Sequence, residues 1–321
     1  MILAGDIGGT KTHLAVFDEG DLRKKIFEKK YSSKEYPDLL SIVVDFLSSF
    51  DGKVEKGCFG VAGPVHDGKC KTTNLPWELD AKEIGKGASL KASLINDLEA
   101  NAYGISILNE EELFVLHEGK KISGNRALIA PGTGLGEAGM FWDGKKHTPF
   151  ASEGGHTDFA PRDEIEMELL RYLIEKFGHV SYERIISGPG IYELYRFLVD
   201  MRLEEEDSDV RLAFMEKDPP RVITELALEG RDILCERAVD WFISIFGAEA
   251  GNVALKFLAV GGFYLGGGIV PDLVELIKEG DFMRSFADKG RFATLVNDIP
   301  VTVILNEETP LLGAAYFAAN H

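Results

Sequence analysis

The chain has 321 residues, 45% of them hydrophobic and 27% charged, with 35 Lys and Arg against 53 Asp and Glu for a formal net charge of −18. That length is large for one core and natural for two, and the composition is that of a globular protein rather than a disordered or fibrous one. The acidic balance opposes nonspecific binding to nucleic acid or to an anionic membrane, and no apolar run reaches the roughly 18–20 residues of a spanning helix.

In chain order, an apolar run from Met1 to Ala4 enters Asp6-Ile7-Gly8-Gly9-Thr10-Lys11-Thr12 and leaves through Leu14-Ala15-Val16-Phe17. This reads as strand, tight Gly/Thr turn, strand. No basic segment precedes it, so a signal peptide is not expected and a cytoplasmic location is. Residues 36–50 carry apolar positions at helical spacing. Residues 58–62 read as a buried strand ended by Gly63-Pro64, and residues 90–95 as another, stopping at Asn96-Asp97 where a helix over 98–108 begins. This order describes an α/β layer. Arg126 to Ile129 then restarts the pattern, with Ala130-Pro131-Gly132-Thr133-Gly134-Leu135-Gly136 leading into Ala138-Gly139-Met140-Phe141. Helices are predicted over 163–177, 189–201 and 220–255, the last broken near Gly230 and Gly247, with 203–209 a solvated acidic loop. A strand over 258–260, a glycine turn at Gly266-Gly267-Gly268 opening a helix, a strand over 300–305 and an Ala-rich helix over 310–320 close the chain.

The repeated strand–turn–strand unit is the main functional signal. Glycine lets a backbone approach an oxyanion closely, and successive N–H groups in such a turn make an anion nest. Two of them could hold the phosphates of one nucleotide, and a local nest with a Mg²⁺ ion overrides the acidic global field. Neither turn is a P-loop, and Gly-x-Gly-x-Gly without a following helix is not a dinucleotide fingerprint. Each taken alone could be a plain hairpin. Asn96-Asp97 sits at a strand's carboxyl end and a helix start, where both an N-cap and an α/β ligand site belong. Ser152-Glu153-Gly154-Gly155-His156 concentrates polar groups suited to a polyhydroxylated ligand, and its glycines suggest a backbone shaped around something. Cys58, Cys70 and Cys235 have no metal spacing and read as reduced thiols, and the lone Glu-x-x-His supplies too few ligands for zinc.

Together, Asp6-x-Gly-Gly-Thr10, Ala62-Gly63-Pro64, Asn96-Asp97, the Gly132–Gly136 turn, Glu153-Gly-Gly-His156, Ser187-Gly-Pro-Gly190 and Gly266-Gly-Gly-x-Val-Pro271 resemble the bacterial ATP-dependent glucokinase family, of the hexokinase, Hsp70 and actin superfamily. The likeness covers nearly the whole chain. It implies a two-domain α/β, actin-like ATPase (ribonuclease H-like) fold with an interdomain cleft. The boundaries expected are a small domain over 1–107 completed by 299–321 and a large one over 108–298. It implies phosphorylation of D-glucose by ATP with Mg²⁺. Asp97 resembles the general base, and Asn96, Glu153, His156 and Glu183 match the sugar-holding residues, with Asn74 in the loop before Trp77 counted among them. Gly5, Asp6, Ile7, Gly8, Gly9 and Thr10 resemble one phosphate-binding segment, and Gly132, Thr133 and Gly134 the other. Gly267 and Gly268 resemble the adenosine site. The absence of cysteines between Cys70 and Cys235 separates the chain from the zinc-bearing relatives.

This reading expects a homodimer, glucose-driven domain closure, and Trp77 as a reporter near the sugar. The competing readings are a kinase of another hexose or an N-acetylhexosamine, a sugar-sensing repressor, and an actin- or Hsp70-like ATPase. A repressor needs a DNA-binding segment, and five residues precede Asp6.

Overall fold

A computed structural model describes residues 1–72, 74–202 and 206–321. They cluster into two compact units, Met1–Leu113 with Thr148–Ala151 and Asn306–His321, and Phe114–His147 with Ser152–Leu305. The changeovers fall at Leu113 and Asn306, a few residues beyond the positions near Ile107 and Ile299 read from the sequence.

The first unit contains β1 (Ile2–Ile7), β2 (Lys11–Asp18), β3 (Asp21–Ser32), α1 (Leu39–Ser48), β4 (Lys56–Val61), β5 (Val65–His66), β6 (Lys69–Lys71), β7 (Glu78–Asp80), α2 (Ala81–Ala88), β8 (Lys91–Asn96) and α3 (Asp97–Gly104). Its main sheet has the order β3-β2-β1-β4-β8, with β1 antiparallel to β2 and parallel to β4. Strand β1 is central and buried on both faces, which is why it reads as a continuous apolar run. Leu3, Ile7, Leu14 and Val16 pack towards Leu39, Ile42, Phe46 and Ile84. Ile2, Ala4, Ala15 and Phe17 pack on the other face. Strand β3, 12 residues long, has one largely solvated face and the run Arg23-Lys24-Lys25, so its alternation is masked and the sequence reading assigned nothing there. Trp77, expected beside the sugar, is 2% exposed among Cys70, Leu79 and Ile84 in this core.

The second unit contains β9 (Leu113–His117), β10 (Arg126–Pro131), β11 (Leu135–Trp142), α4 (Glu164–Phe177), α5 (Gly188–Asp200), α6 (Ser208–Glu216), α7 (Pro219–Leu228), α8 (Ile233–Phe257), β13 (Phe263–Leu265), α9 (Val274–Glu279), α10 (Phe282–Ala287), α11 (Ala293–Asn297) and β14 (Val301–Ile304), while β12 (His147–Ser152) has its central residues, Thr148–Ala151, in the first unit. The sheet order is β12-β11-β10-β13-β14-β9. Strand β10 is antiparallel to β11 and parallel to β13, which repeats the β2-β1-β4 arrangement.

Three expectations are corrected here. The helical region over 220–255 does break at Gly230, where φ is +62°, but α8 runs through Gly247 for 25 residues. Gly247 serves close packing instead, because a Cβ there would strike the Phe282 carbonyl at the start of α10. Residues 258–260 are not a strand: Leu258 is the left-handed cap that ends α8, and the strand is β13. Of the expected acidic loop, 203–205 lie outside the described residues, and Asp207 caps α6 through the Asp209 N–H.

The chain returns to the first unit as α12 (Thr309–Asn320), which packs on α3. A Cβ on Gly104 would meet the Thr309 carbonyl, and one on Gly313 the Ala100 carbonyl, so the two helices approach backbone to backbone. Gly313→Ala is expected to lower unfolding free energy by about 1–3 kcal/mol, the usual cost of overpacking. Urea unfolding checks this, and an unchanged midpoint would show that the crossing separates freely.

Candidate active site

The two glycine turns differ in detail. In the first unit Ile7 pairs with Thr12, and the turn closes through Gly8 N–H donating to the Lys11 carbonyl at 2.9 Å. Ser33 pins it, with Oγ donating to the Gly8 carbonyl at 2.8 Å and standing 3.0 Å from Thr12 Oγ1. In the second unit Pro131 pairs with Leu135, and Gly132 N–H donates to the Gly134 carbonyl at 2.8 Å. None of Gly8, Gly9, Gly132 and Gly134 has a positive φ. Their value is therefore space rather than left-handed backbone: a Cβ on Gly132 would meet nothing within 4 Å, leaving that turn open to a ligand. Gly9 has a different neighbour, since a Cβ there would lie 2.6 Å from Asn74 Cβ. Asn74 thus sits against the first turn. Gly5 is packed between Phe59 and Leu14, and Ile7 is 2% exposed, so both are core positions of β1. Asp6, near the end of the same strand, has its carboxyl group pushed up to about 6 by burial.

Asn96 and Asp97 divide the helix start between them. Asn96 is the N-cap of α3: its Oδ1 accepts from Leu98 N–H at 2.9 Å and Glu99 N–H at 3.3 Å, and its Nδ2 donates to the Gly63 carbonyl at 3.2 Å. At 5% exposure its amide is committed to holding the turn. Asp97 follows as the first helical residue, with Oδ1 accepting from Leu98 N–H at 3.0 Å. A carboxylate there is favoured by the helix dipole. A Cβ on Gly60 would lie 3.7 Å from Asp97 Cα and 3.0 Å from Ala100 Cβ, so this glycine lets α3 settle onto β4.

In the second unit, Glu153, His156 and Glu183 converge. His156 Nε2 is 3.9 Å from Glu153 Oε2, and its Nδ1 is 3.7 Å from Glu183 Oε1. All three offer polar atoms to a hydroxylated ligand. Glu183 stands on a one-turn 3₁₀ segment, Tyr182–Arg184, and its Oε2 accepts from Leu135 N–H at 3.0 Å at the end of the Gly132–Gly134 turn. A Cβ on Gly134 would collide with that same oxygen. Gly154 and Gly155 are shaped around the strand beneath them: side chains there would strike the Glu137 carboxyl group and the Leu135 carbonyl.

A cavity of about 830 Å³ lies beside this turn, lined by Gly132, Thr133, Gly188, Arg221, Gly268 and Asp272 among others. Its size suits a small-molecule site. Gly267 has φ +85° because its backbone passes over the Pro131 carbonyl, and a Cβ on Gly268 would meet nothing within 4 Å. Of the two expected adenosine-site glycines, Gly268 lines the cavity, and Gly267 packs over Pro131 instead. A second cavity, of about 620 Å³, lies along β5–β7 and contains none of the expected site residues. The sequence reading missed Ser33, Glu137 and Arg221. Arg221 lies on an ordinary amphipathic helix, where no local signal separates it from a solvated face. Ser33 is distant from its turn in sequence.

Comparison with known proteins bears on the chain as a whole. A family model described as Glucokinase matches residues 3–321. A curated glucokinase of Nostoc sp. (strain PCC 7120 / SAG 25.82 / UTEX 2576) is 42% identical over 338 aligned positions, covering 99% of each chain. The crystal structure of a glucokinase from an Antarctic psychrotroph has a TM-score of 0.81 at 30% identity, covering 100% of this chain and 99% of that one. A ROK family glucokinase from Streptomyces griseus, solved with glucose and AMPPNP, shares the fold with a TM-score of 0.69 at 20% identity, covering 100% and 99%. The fold is thus the two-domain α/β, actin-like ATPase fold, and the chain belongs to the glucokinase family.

Proposed function

We propose that this chain transfers the γ-phosphoryl group of MgATP to the 6-hydroxyl of D-glucose. The observation that carries the reading is the Glu153–His156–Glu183 cluster joined to the open Gly132–Gly134 turn through the Glu183–Leu135 hydrogen bond. A hydroxyl-binding cluster and an open glycine turn joined in one local structure support this reading. Family membership supports glucose as the sugar and ATP as the donor.

In this mechanism Asp97 accepts the proton of the sugar 6-hydroxyl as that oxygen attacks the γ-phosphorus, and the bond from phosphorus to the bridging oxygen breaks to release ADP. Positioning and charge neutralisation carry most of such a reaction. Asn96 holds the backbone that presents Asp97. Glu153, His156 and Glu183 orient the remaining hydroxyls. The Gly8–Thr10 and Gly132–Gly134 turns receive phosphate oxygens, and the cavity beside Gly268 and Arg221 takes the nucleoside. Mg²⁺ enters with the nucleotide and neutralises phosphate charge. Asp6 suits a role towards that ion, because burial disfavours its ionised form and an arriving cation restores it. A homodimer in the cytoplasm completes the proposal, and sedimentation measurements test the former.

A coupled assay across a hexose panel, with ATP, ADP and polyphosphate as donors, tests the reading. Glucose with ATP is expected to give the highest kcat/KM, and preference for an N-acetylhexosamine or another donor would overturn it. Asp97→Ala leaves the Asn96 cap in place, so kcat is expected to fall at least ~100-fold while the thermal midpoint moves little. Asn96→Ala removes the cap bonds and is expected to cost about 1–2 kcal/mol of stability. Measuring kcat and midpoint on both variants separates chemistry from capping, and near-normal kcat in Asp97→Ala would remove it from the mechanism.

The Asp6 carboxyl group supplies a pH test. Its folded value lies above its unfolded one, so its contribution to the stability of the sugar- and nucleotide-free protein is lost as pH rises from 3.8 to about 6. Magnesium binding needs the ionised form, so kcat/KM for MgATP is expected to fall as pH drops through about 6 and to be flat above it. Asp6→Asn is expected to be impaired at every pH and to lose that inflection. An unchanged acid limb in this variant would assign the titration to another group.

A further inference from the structure

Glu137 is a carboxylate in the middle of a buried strand. It lies on β11 opposite Ile129 of β10 and is 1% exposed, and among the described residues its Oε1 has no hydrogen-bond partner. Its other oxygen occupies the place a Gly154 side chain would fill. Ser152 Oγ donates to the Glu137 carbonyl at 3.0 Å and accepts from Gly154 N–H at 3.2 Å. The Glu153–His156 loop therefore rests on Glu137 through both its backbone and its carboxyl group.

On its other side Glu137 feels a second buried carboxylate, Glu249 of α8, which is fully buried. Lys256 donates to Glu249 Oε1 at 3.0 Å, and Asn252 donates to Oε2 at 2.8 Å and to Tyr182 Oη at 3.1 Å. Lys289, beyond α10, also faces Glu249. Tyr182 adjoins Glu183 in the same 3₁₀ turn. The Glu249 charge is thus already answered by a direct ion pair with Lys256, while among the described residues Glu137 has none.

We propose that Glu137 is a positioning residue for the sugar site: its carboxyl group, seated beneath Gly154, fixes where Glu153 and His156 stand. This rests on the reading of those residues as the sugar-holding set. Burial, reinforced by Glu249 and opposed by Lys256, raises the Glu137 carboxyl to about 8, so at neutral pH it is the uncharged acid. The neutral form can sit unhydrated under the loop. The ionised form demands water and a counter-charge, and lifting Gly154, which lies over the carboxyl group, away from β11 opens a route to water. The folded value lies above the unfolded 4.5, so stability falls as pH rises from 4.5 to about 8. Sugar affinity follows over the upper end of that range. Glu153, His156 and Glu183 lie in the cluster being positioned rather than beneath it.

The test uses the full chain as wild type, Glu137→Gln and Glu137→Ala. Glucose and ATP KM values are measured from pH 6.5 to 9.5, and amide exchange across 152–157 is followed in the sugar-free protein with intrinsic rates divided out. Wild-type glucose KM is expected to rise about tenfold between pH 7 and 9 with ATP KM unchanged, as for a group that must hold its proton. Glu137→Gln is expected to keep the neutral-pH glucose KM, lose the alkaline rise and gain thermal midpoint above pH 8. Glu137→Ala should weaken glucose binding at every pH and speed exchange of the loop. A flat wild-type glucose KM, or a Glu137→Gln variant as impaired at pH 7 as Glu137→Ala, would overturn the proposal. Should Glu137→Ala fail to fold, the wild-type and Gln series decide alone. If no hexose is phosphorylated the functional reading fails, while the pH dependence of loop exchange in the sugar-free protein still judges Glu137.

Discussion

The interaction on which the second unit's site depends is the hydrogen bond from Leu135 N–H to the Glu183 carboxylate, 3.0 Å long. An ionised acceptor makes such a bond stronger than a neutral pair. It fixes the end of the Gly132–Gly134 turn with one oxygen and leaves the other facing His156. The 3₁₀ segment bearing Glu183 is held in turn by Ser187 Oγ, which donates to the Glu183 carbonyl at 2.7 Å and caps α5 through Gly190 N–H. Gly188 N–H donates to the Gly132 carbonyl at 2.8 Å and returns to the same turn. On the proposed reading, sugar-holding and phosphate-binding groups therefore share one set of bonds, and Glu183 belongs to both. The family resemblance groups it with Glu153 as a sugar residue, and the bond to Leu135 distinguishes the two.

Close backbone approach is the second constraint. Gly134, Gly154, Gly155 and Gly267 each pass over a carbonyl or carboxyl group that any side chain would strike. The glycines that announce the site in the sequence thus do two kinds of work. Gly132 and Gly268 leave open space, while the others allow one segment to lie directly on another. The sequence shows that a glycine is required without showing which of these reasons applies, and for Gly154 and Gly155 the reason proved to be β11.

The parts of the fold legible in the sequence are those with a local signature. The strand–turn–strand units are marked by apolar runs around Gly/Thr turns, and α4 and α5 by amphipathic spacing after Asp163 and Ser187 caps. What escaped depends on distant partners. Strand β3 is an edge strand whose charges hide its alternation. Gly247 looks like a helix break until α10 is seen against it, and residues 258–260 look like a strand because Leu258 takes a left-handed cap that glycine usually supplies. In the site, Glu153 and His156 stand out in the sequence as polar groups beside glycines, Asp97 by its place between a strand and a helix, and Glu183 through the family resemblance alone. Glu137 does not, because a Glu at alternating spacing in a strand reads as solvent-facing, and the burial comes from the distant loop at Gly154 that lies over it.

The most direct measurement of the link through Glu183 is calorimetric titration of glucose into wild type, Glu183→Gln and Glu153→Gln, each with and without MgAMPPNP. A shared set of bonds predicts that glucose and the nucleotide analogue bind wild type cooperatively, by equal factors in either order. That coupling should persist in Glu153→Gln, whose glucose affinity alone falls, and vanish in Glu183→Gln. Independent binding of the two ligands to wild type, or equal coupling in all three proteins, would contradict the account.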